Sequence, residues 1–365
     1  MLLSLLIATS IAAGPRRRPS NPPAPSYPDC SVISGTAAVT FTRDRGRTLA
    51  PSVQQLSGVG YTYGLVALDV PDQLLAWHKQ ALIVSRDGGC NWSEVYRPET
   101  DPGFPPRLTA AKGGRAYGWS DNQRYLMRYD SRGPRALKAP GEMTGLGADP
   151  NNGEHVLAAD AEGIIWRSRD GGESWQMSGR LDTVTRPVIF YRFTFDPSNV
   201  EHIVAGTTLD GAYVSRDGGA TWQRATGLGT RASNTFNLVI SPVNGNRVWA
   251  MSLDMLESDA NLPHHGRHIY VSDDGGSSYR SVVDEAPGVK LINGPTMAAD
   301  PQNADVLYFV FGTHTFGYGT DLFRYDASSR ELTLTHNDHH DIDAIAFSTV
   351  DPSVMYLGLE VVQGH

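Results

Sequence analysis

The chain has 365 residues, 40% of them hydrophobic and 19% charged, with 38 glycines and 23 prolines. That composition points to a folded, turn-rich globular protein with a large core. A formal net charge of −8 argues against a nucleic-acid partner, which calls for a basic face, and is otherwise a solubility feature.

Residues 1–14, MLLSLLIATSIAAG, contain an apolar run from Leu2 to Ala13 that is too short to span a bilayer and fits a signal-peptide core. The usual charged start is missing, and Arg16, Arg17 and Arg18 follow the run. A short N-terminal anchor is the alternative. Either reading places the rest of the chain outside the cytoplasm, secreted or periplasmic. No other segment reaches transmembrane length. Residues 15–29, PRRRPSNPPAPSYPD, form a Pro-rich extended linker. Residues 30–365 then make one folded domain. The two cysteines, Cys30 and Cys90, are expected to form one disulfide in an exported chain, pinning the start of the domain to a nearby turn. Two unpaired thiols are the alternative.

A short motif recurs along this domain: SRDGGCNW from Ser85, SRDGGESW from Ser168, SRDGGATW from Ser215 and SDDGGSSY from Ser272. Worn copies fill the gaps, with Asp44 in FTRDRG, Asp130 in RYDSRG and Asp326 in RYDASS. The markers Asp44, Asp87, Asp130, Asp170, Asp217, Asp274 and Asp326 lie 40 to 57 residues apart. Seven units of about 48 residues match four-stranded propeller blades. Before each turn runs a strand, a Pro-containing turn and another strand, as in FTFDPSNVEHIVAG and MAADPQNADVLYFV. Alternation such as Phe193 and Phe195, or Val306, Tyr308 and Val310, has the period of strands. Each unit thus reads as strands A and B, then C and D around the Asp turn.

The ends complete each other. DIDAIAFSTVDPSVMYLGLE near the C-terminus is an A–B hairpin without a following Asp turn, and residues 35–53 are a C–D hairpin without a preceding A–B pair. The expected fold is therefore an all-β, seven-bladed propeller of antiparallel four-stranded blades. One blade is built from both ends, leaving no free sheet edge.

The turn chemistry explains the motif. Gly88 and Gly89 permit positive φ, Asp87 can accept backbone N–H bonds, and an aromatic (Trp92, Trp175, Trp222 or Tyr279) can cover the turn. This S-x-D-x-G-x-x-W pattern resembles the Asp box, or BNR repeat, of sialidase-like propellers. The resemblance covers residues 30–365. It implies that these turns are structural and lie on the outer rim, with any binding site near the central axis.

A sialidase-type site would need an arginine cluster for a carboxylate, a Tyr–Glu nucleophile pair and an acid/base aspartate. The Phe-Arg-Ile-Pro signature of that family is absent. Arg107 in FPPRL, Arg192 in FYRFTF and Arg231 are candidate central arginines. THNDHHDIDA places His336, His339, His340 and Asp341 together as candidates for a divalent metal or for acid/base work. With His264, His265, His268, His314 and the terminal His365, eight of the 11 histidines fall after residue 260. Residues 254–268, DMLESDANLPHHGRH, form the longest insertion, and long loops on rigid scaffolds often carry binding.

The reading is a monomeric, exported binding protein without a required cofactor, engaging a protein or glycan ligand. By architecture it also resembles secreted propellers that partner extracellular proteases. The alternatives are a glycoside hydrolase or lyase acting at the central mouth, and an assembly or adhesion factor of the cell envelope.

Overall fold

A computed structural model describes residues 34–35, 39–49, 60–99, 102, 106–182, 188–229, 232–312, 319–337 and 341–361. Strands β1 (Ser34–Gly35) and β2 (Val39–Thr42) come first. They are followed by a meander of β3 (Gly60–Ala67), β4 (Leu74–His78), β5 (Ala81–Ser85) and β6 (Asn91–Tyr96). The next sheet holds β7 (Pro106–Ala111), β8 (Arg115–Ser120), β9 (Leu126–Asp130) and β10 (Gly133–Leu137). Then come β11 (Met143–Ala148), β12 (Val156–Asp160), β13 (Ile164–Ser168) and β14 (Gln176–Arg180). The fourth meander is β15 (Phe190–Asp196), β16 (Asn199–Thr207), β17 (Ala212–Ser215) and β18 (Gln223–Arg224). In the fifth, β19 (Ser233–Ser241) and β20 (Asn244–Asp254) lead through helix α1 (Met255–Asp259) to β21 (Arg267–Ser272) and β22 (Arg280–Asp284). The sixth is β23 (Met297–Ala299), β24 (Val306–Phe311), β25 (Thr320–Asp326) and β26 (Glu331–Asn337), before the final hairpin β27 (Asp341–Phe347) and β28 (Met355–Val361).

Each meander pairs in antiparallel sequence order. Strand β28 pairs with β27 on one side and with β2 on the other, so Val39 sits opposite Gly358 and Phe41 opposite Tyr356. Segments more than 300 residues apart thus share one sheet. At its far end β28 also touches β3, through Glu360 opposite Tyr61. Strand β1 runs parallel to β6, with Ser34 beside Asn91.

The first strand of each meander packs against the first strand of the next: β3 on β7, then β11, β15, β19, β23 and β27, which returns to β3. The approach is close. A Cβ added at Gly145 of β11 would lie 2.3 Å from the Phe193 carbonyl oxygen of β15, so glycine is needed there.

The core lies between neighbouring sheets. Leu75, Trp77, Leu82 and Val84 pack against Ala116, Met127 and Tyr129, and Trp249 and Met251 against Leu307, Phe309 and Tyr325. Burying an aromatic or aliphatic side chain of this size contributes about 1.5–3 kcal/mol, so each sheet is stabilised mainly by its neighbours. No helix among the described residues is long and apolar enough to cross a membrane.

Candidate functional site: the central cavity

A cavity of about 590 Å³ is lined by residues of β3, β7, β11, β15, β19, β23 and β27. Its volume falls within the usual range for ligand sites. The way these strands present side chains to it follows from a repeated irregularity. In β3, β11, β15, β19 and β27 the register skips one residue near the start of the strand: Tyr63, Thr144, Tyr191, Phe236 and Asp343 respectively. A bulge breaks the strict alternation of faces and re-aims the extra residue. Four of these five, Tyr63, Tyr191, Phe236 and Asp343, line the cavity. The Tyr191 and Phe236 rings meet at 4.5 Å, and burial raises the Tyr191 hydroxyl pKa.

One side of the cavity is basic. Arg107 donates to Asp121 Oδ2 through Nη2 at 2.7 Å and Nε at 3.1 Å, and Arg192 Nη2 reaches the same oxygen at 3.3 Å. Two guanidinium groups thus share one carboxylate oxygen. Burial, and then the charge of Arg107, bring the Arg192 pKa down to about 10, with Asp121 opposing them. Arg192 remains cationic at neutral pH. Arg231 lies outside the described residues.

The opposite side is acidic. Asp341 faces Glu360 directly across the β27–β28 ladder, and Asp343 lies two residues further along β27. Asp343 is only 8% exposed, and its Oδ2 has no hydrogen-bond partner among the described residues. Burial first, then Glu360 and Asp341, push its pKa up to about 8. It is therefore mostly protonated at neutral pH and offers a hydroxyl proton to the cavity. The same carboxyl groups, added to burial, hold the Tyr63 phenol well above its ordinary value. Asp341 was a sequence candidate. Tyr63, Asp121 and Glu360 were missed, because no motif marks them.

The Asp turns sit elsewhere, between the third and fourth strands of their sheets. In each full copy the serine hydroxyl donates to the aspartate: Ser85 to Asp87 at 2.8 Å, Ser168 to Asp170 at 2.7 Å, Ser215 to Asp217 and Ser272 to Asp274 at 2.8 Å. The serine oxygen also accepts from the second glycine, as from Gly89 N–H at 2.8 Å; Gly89 has φ +93°, a conformation that glycine adopts without strain. The aspartate accepts from the backbone four residues on, at 2.9 Å in all four. Hydrogen bonds led by that from the Ser174 hydroxyl bring the Asp170 pKa down to about 2. At Asp87, Asp217 and Asp274 burial pushes upward, but similar hydrogen bonds outweigh it and the pKa is lowered. Trp92 and Trp222 cap their turns through Nε1 to Gly89 and Gly219 carbonyls at 3.0 Å. Trp175 and Tyr279 pack in the same place by contact. Of the worn copies, Asp44 keeps the pattern with Thr42 and Thr48, whereas Asp130 accepts from Arg132 and pairs with Arg128, and Asp326 accepts from Ser328, Ser329 and Arg324.

These turns also tie sheets together. The first glycine of each full copy donates its N–H to the A–B hairpin of its own sheet: Gly88 to Asp72, Gly171 to Glu154, Gly218 to Glu201 and Gly275 to Asn246. Its carbonyl accepts from the preceding sheet, from Tyr356 Oη (3.0 Å), Arg128 Nη1 (3.0 Å), Ser178 Oγ (2.7 Å) and His202 Nε2 (2.9 Å) respectively.

Of the histidine run, His336 is bound to Asp321 at 2.7 Å, and His339 and His340 lie outside the described residues, as does His314. The imidazole–carboxylate cluster found among the described residues is Glu257, His264 and His268, on the insertion between β20 and β21. Cys90 is buried within its Asp turn, and Cys30 lies outside the described residues.

The circle of sheets and its fastening turns define an Asp-box β-propeller, and a family model for the BNR/Asp-box repeat matches residues 213–224. The chain is 46% identical over 342 residues to the dispase autolysis-inducing protein of Streptomyces mobaraensis, covering 93% of this chain and 90% of that protein. The chain belongs to the family of that protein. In fold it is similar to the GH74 xyloglucanase from Xanthomonas campestris (TM-score 0.63, 13% identity, 88% of this chain), of which it spans 52%. It is likewise similar to YCF48 bound to D1 peptide (TM-score 0.56, 13% identity), covering 91% of this chain and 99% of that one.

Proposed function

We propose that this chain is an exported, monomeric, seven-bladed propeller that binds an extracellular protease and promotes its self-digestion. The observation that carries this reading is the 46% identity, over nearly the full length of both chains, to a protein named for inducing dispase autolysis. In this reading residues 1–14 direct export, 15–29 are a linker and 30–365 are the propeller. The blade count is supported by the succession of inner strands from β3 round to β27 and back.

The docking face is the rim of the cavity over the fourth and fifth meanders. Ile189, immediately before β15, is 61% exposed, Leu209 is 44% exposed and Leu256 on α1 is 56% exposed. Backbone and side-chain bonds hold them as one surface: Thr208 N–H to the Ile189 carbonyl at 3.0 Å, Leu209 N–H to Asn234 Oδ1 at 2.8 Å, and Asn234 Nδ2 to Met255 sulfur at 3.3 Å. Apolar groups fixed on a polar rim suit a protein partner. The cavity beside them, with arginines on one side and carboxyls on the other, suits a charged peptide segment; a peptide is also what is bound in the YCF48 structure. The test is to add the purified chain to a dispase-type protease and follow the disappearance of intact protease. Faster loss is expected with the native chain and not with Ile189→Asp/Leu209→Asp, whose melting should be unchanged. Equal rates with and without the native chain overturn the proposal.

A glycoside hydrolase acting at the same mouth is favoured by one observation. A carboxyl with pKa about 8, Asp343, adjoins Asp341 and Glu360, and a carboxyl kept protonated by its surroundings is what serves as general acid in cleaving a glycosidic bond. Release of reducing sugar from xyloglucan or an aryl glycoside, abolished in Asp343→Asn, would establish it; no release by the native chain would end it.

A further inference from the structure

We propose that Glu257, His264 and His268 form a binding site for a divalent late first-row cation, zinc foremost. Asp254 caps α1, its Oδ1 accepting from Leu256 N–H at 3.0 Å and Glu257 N–H at 3.3 Å, which fixes where Glu257 begins. The chain then turns through Asn261 (φ 52°), His265 (φ 49°) and Gly266 (φ 71°) and enters β21 at Arg267. His264 Nδ1 thereby comes to 3.6 Å from Glu257 Oε2, and His268 Nε2 comes to 2.8 Å from the same oxygen. One ligand atom from each residue lies within 4.8 Å of the others. Donors about 2.0–2.1 Å from a tetrahedral ion are roughly 3.4 Å apart, a spacing that the two measured distances bracket.

The arrangement of hydrogen-bond partners points the same way. His268 Nδ1 is 2.7 Å from Asp284 Oδ1, which Ser281 Oγ also holds at 2.7 Å. When Nδ1–H donates to that carboxylate, a neutral ring presents the Nε2 lone pair to Glu257. A proton could serve a two-group bridge, but His264 adds a third inward donor: its Nδ1 accepts from Gly266 N–H at 3.1 Å and so carries a lone pair. That weak bond is what the ion would replace. Carboxylate, histidine and ion in line is the usual support for a metal-ligating imidazole. The nearby cation is directed away, since the Arg267 guanidinium binds Glu285 and Asn293. The His268 side chain is 8% exposed, against 24% for His264 and 35% for Glu257. One side of the site is therefore open for entry and for a water as fourth ligand, while the ion would fasten the insertion to β21 and β22. The site does not depend on what the docking face binds.

The test uses the full chain stripped with EDTA. Zinc titration followed calorimetrically, with metal analysis after gel filtration, is expected to give one ion per chain. His264→Ala and Glu257→Gln should each weaken binding roughly 10–100-fold, and Asp284→Asn by a similar factor. At the same concentration zinc should raise the melting temperature of the native chain more than that of His264→Ala. His264 lies on an exposed loop, so its variant decides the matter if His268→Ala fails to fold. Absence of stoichiometric zinc binding by the native chain would reduce the cluster to an imidazolium–carboxylate bridge and overturn the proposal. So would binding unchanged in both His264→Ala and Glu257→Gln.

Discussion

Replacing Asp343 by asparagine should remove a pH-dependent weakness from the centre of the molecule. Asp343 is buried at the bulge of β27, and burial, followed by Glu360 and Asp341, raises its pKa from 3.8 to about 8. Between these values the folded chain keeps a proton that the unfolded chain releases. Stability contributed by this group is thus fully present below pH 4 and is lost as pH rises through about 8. The slope is about 1.4 kcal/mol per pH unit. The asparagine side chain would be neutral throughout and close in shape to the protonated acid. Denaturant unfolding of both proteins at pH 5, 7 and 9 should show the advantage of Asp343→Asn growing by about 3 kcal/mol from pH 5 to 7. The growth should stop above about pH 8. Parallel stability curves for the two proteins across this range would refute the argument, because they would mean that Asp343 titrates alike folded and unfolded.

The turns give two further expectations. Ser168→Ala removes the hydroxyl that donates to Asp170 and accepts from Gly172 N–H at 2.8 Å, so it should cost about 1–3 kcal/mol in denaturant unfolding, while leaving the cavity unchanged. Tyr356→Phe removes the donor to the Gly88 carbonyl between the closing sheet and the first meander; a loss of about 1–2 kcal/mol is expected, and a loss near zero would show that this tie does not help hold the two sheets together.

What could be read from the residues depended on whether the physics was local. The Asp turn is specified within eight residues, since its hydroxyl, carboxylate, glycines and aromatic satisfy one another, and so it is visible as SRDGGESW. The ties between sheets use the same turn but take donors as different as Tyr356, Arg128, Ser178 and His202, so no motif announces them. The cavity was harder still. Alternation along a strand allows at most half of its residues to face one way, yet bulges at Tyr63, Tyr191, Phe236 and Asp343 change that parity without any marker in the chain. Arg107 and Arg192 stand out as arginines in apolar strands; Asp121, which both of them contact, is an ordinary residue at the end of β8. The insertion was visible by its length, and His264 and His268 by their spacing. The convergence of Glu257 on them required the cap at Asp254 and the turn at Gly266.

The pairing of Cys30 with Cys90 can be argued from position and tested directly. Strand β1 places Ser34 opposite Asn91, so the chain four residues after Cys30 is hydrogen-bonded beside the turn that holds Cys90. In the unfolded chain the bond would close a loop of about 60 residues, worth about 4 kcal/mol by loop entropy. In the folded chain little is strained by it, because β1 and β2 already lie against β6 and β28. Reduction should therefore lower denaturant stability by an amount of that order and leave the strand pairing intact. Cys90→Ser should show the same loss and become insensitive to reductant. Thiol titration of the unreduced, unfolded protein decides the premise: no free thiol is expected, and two would dispose of the clamp.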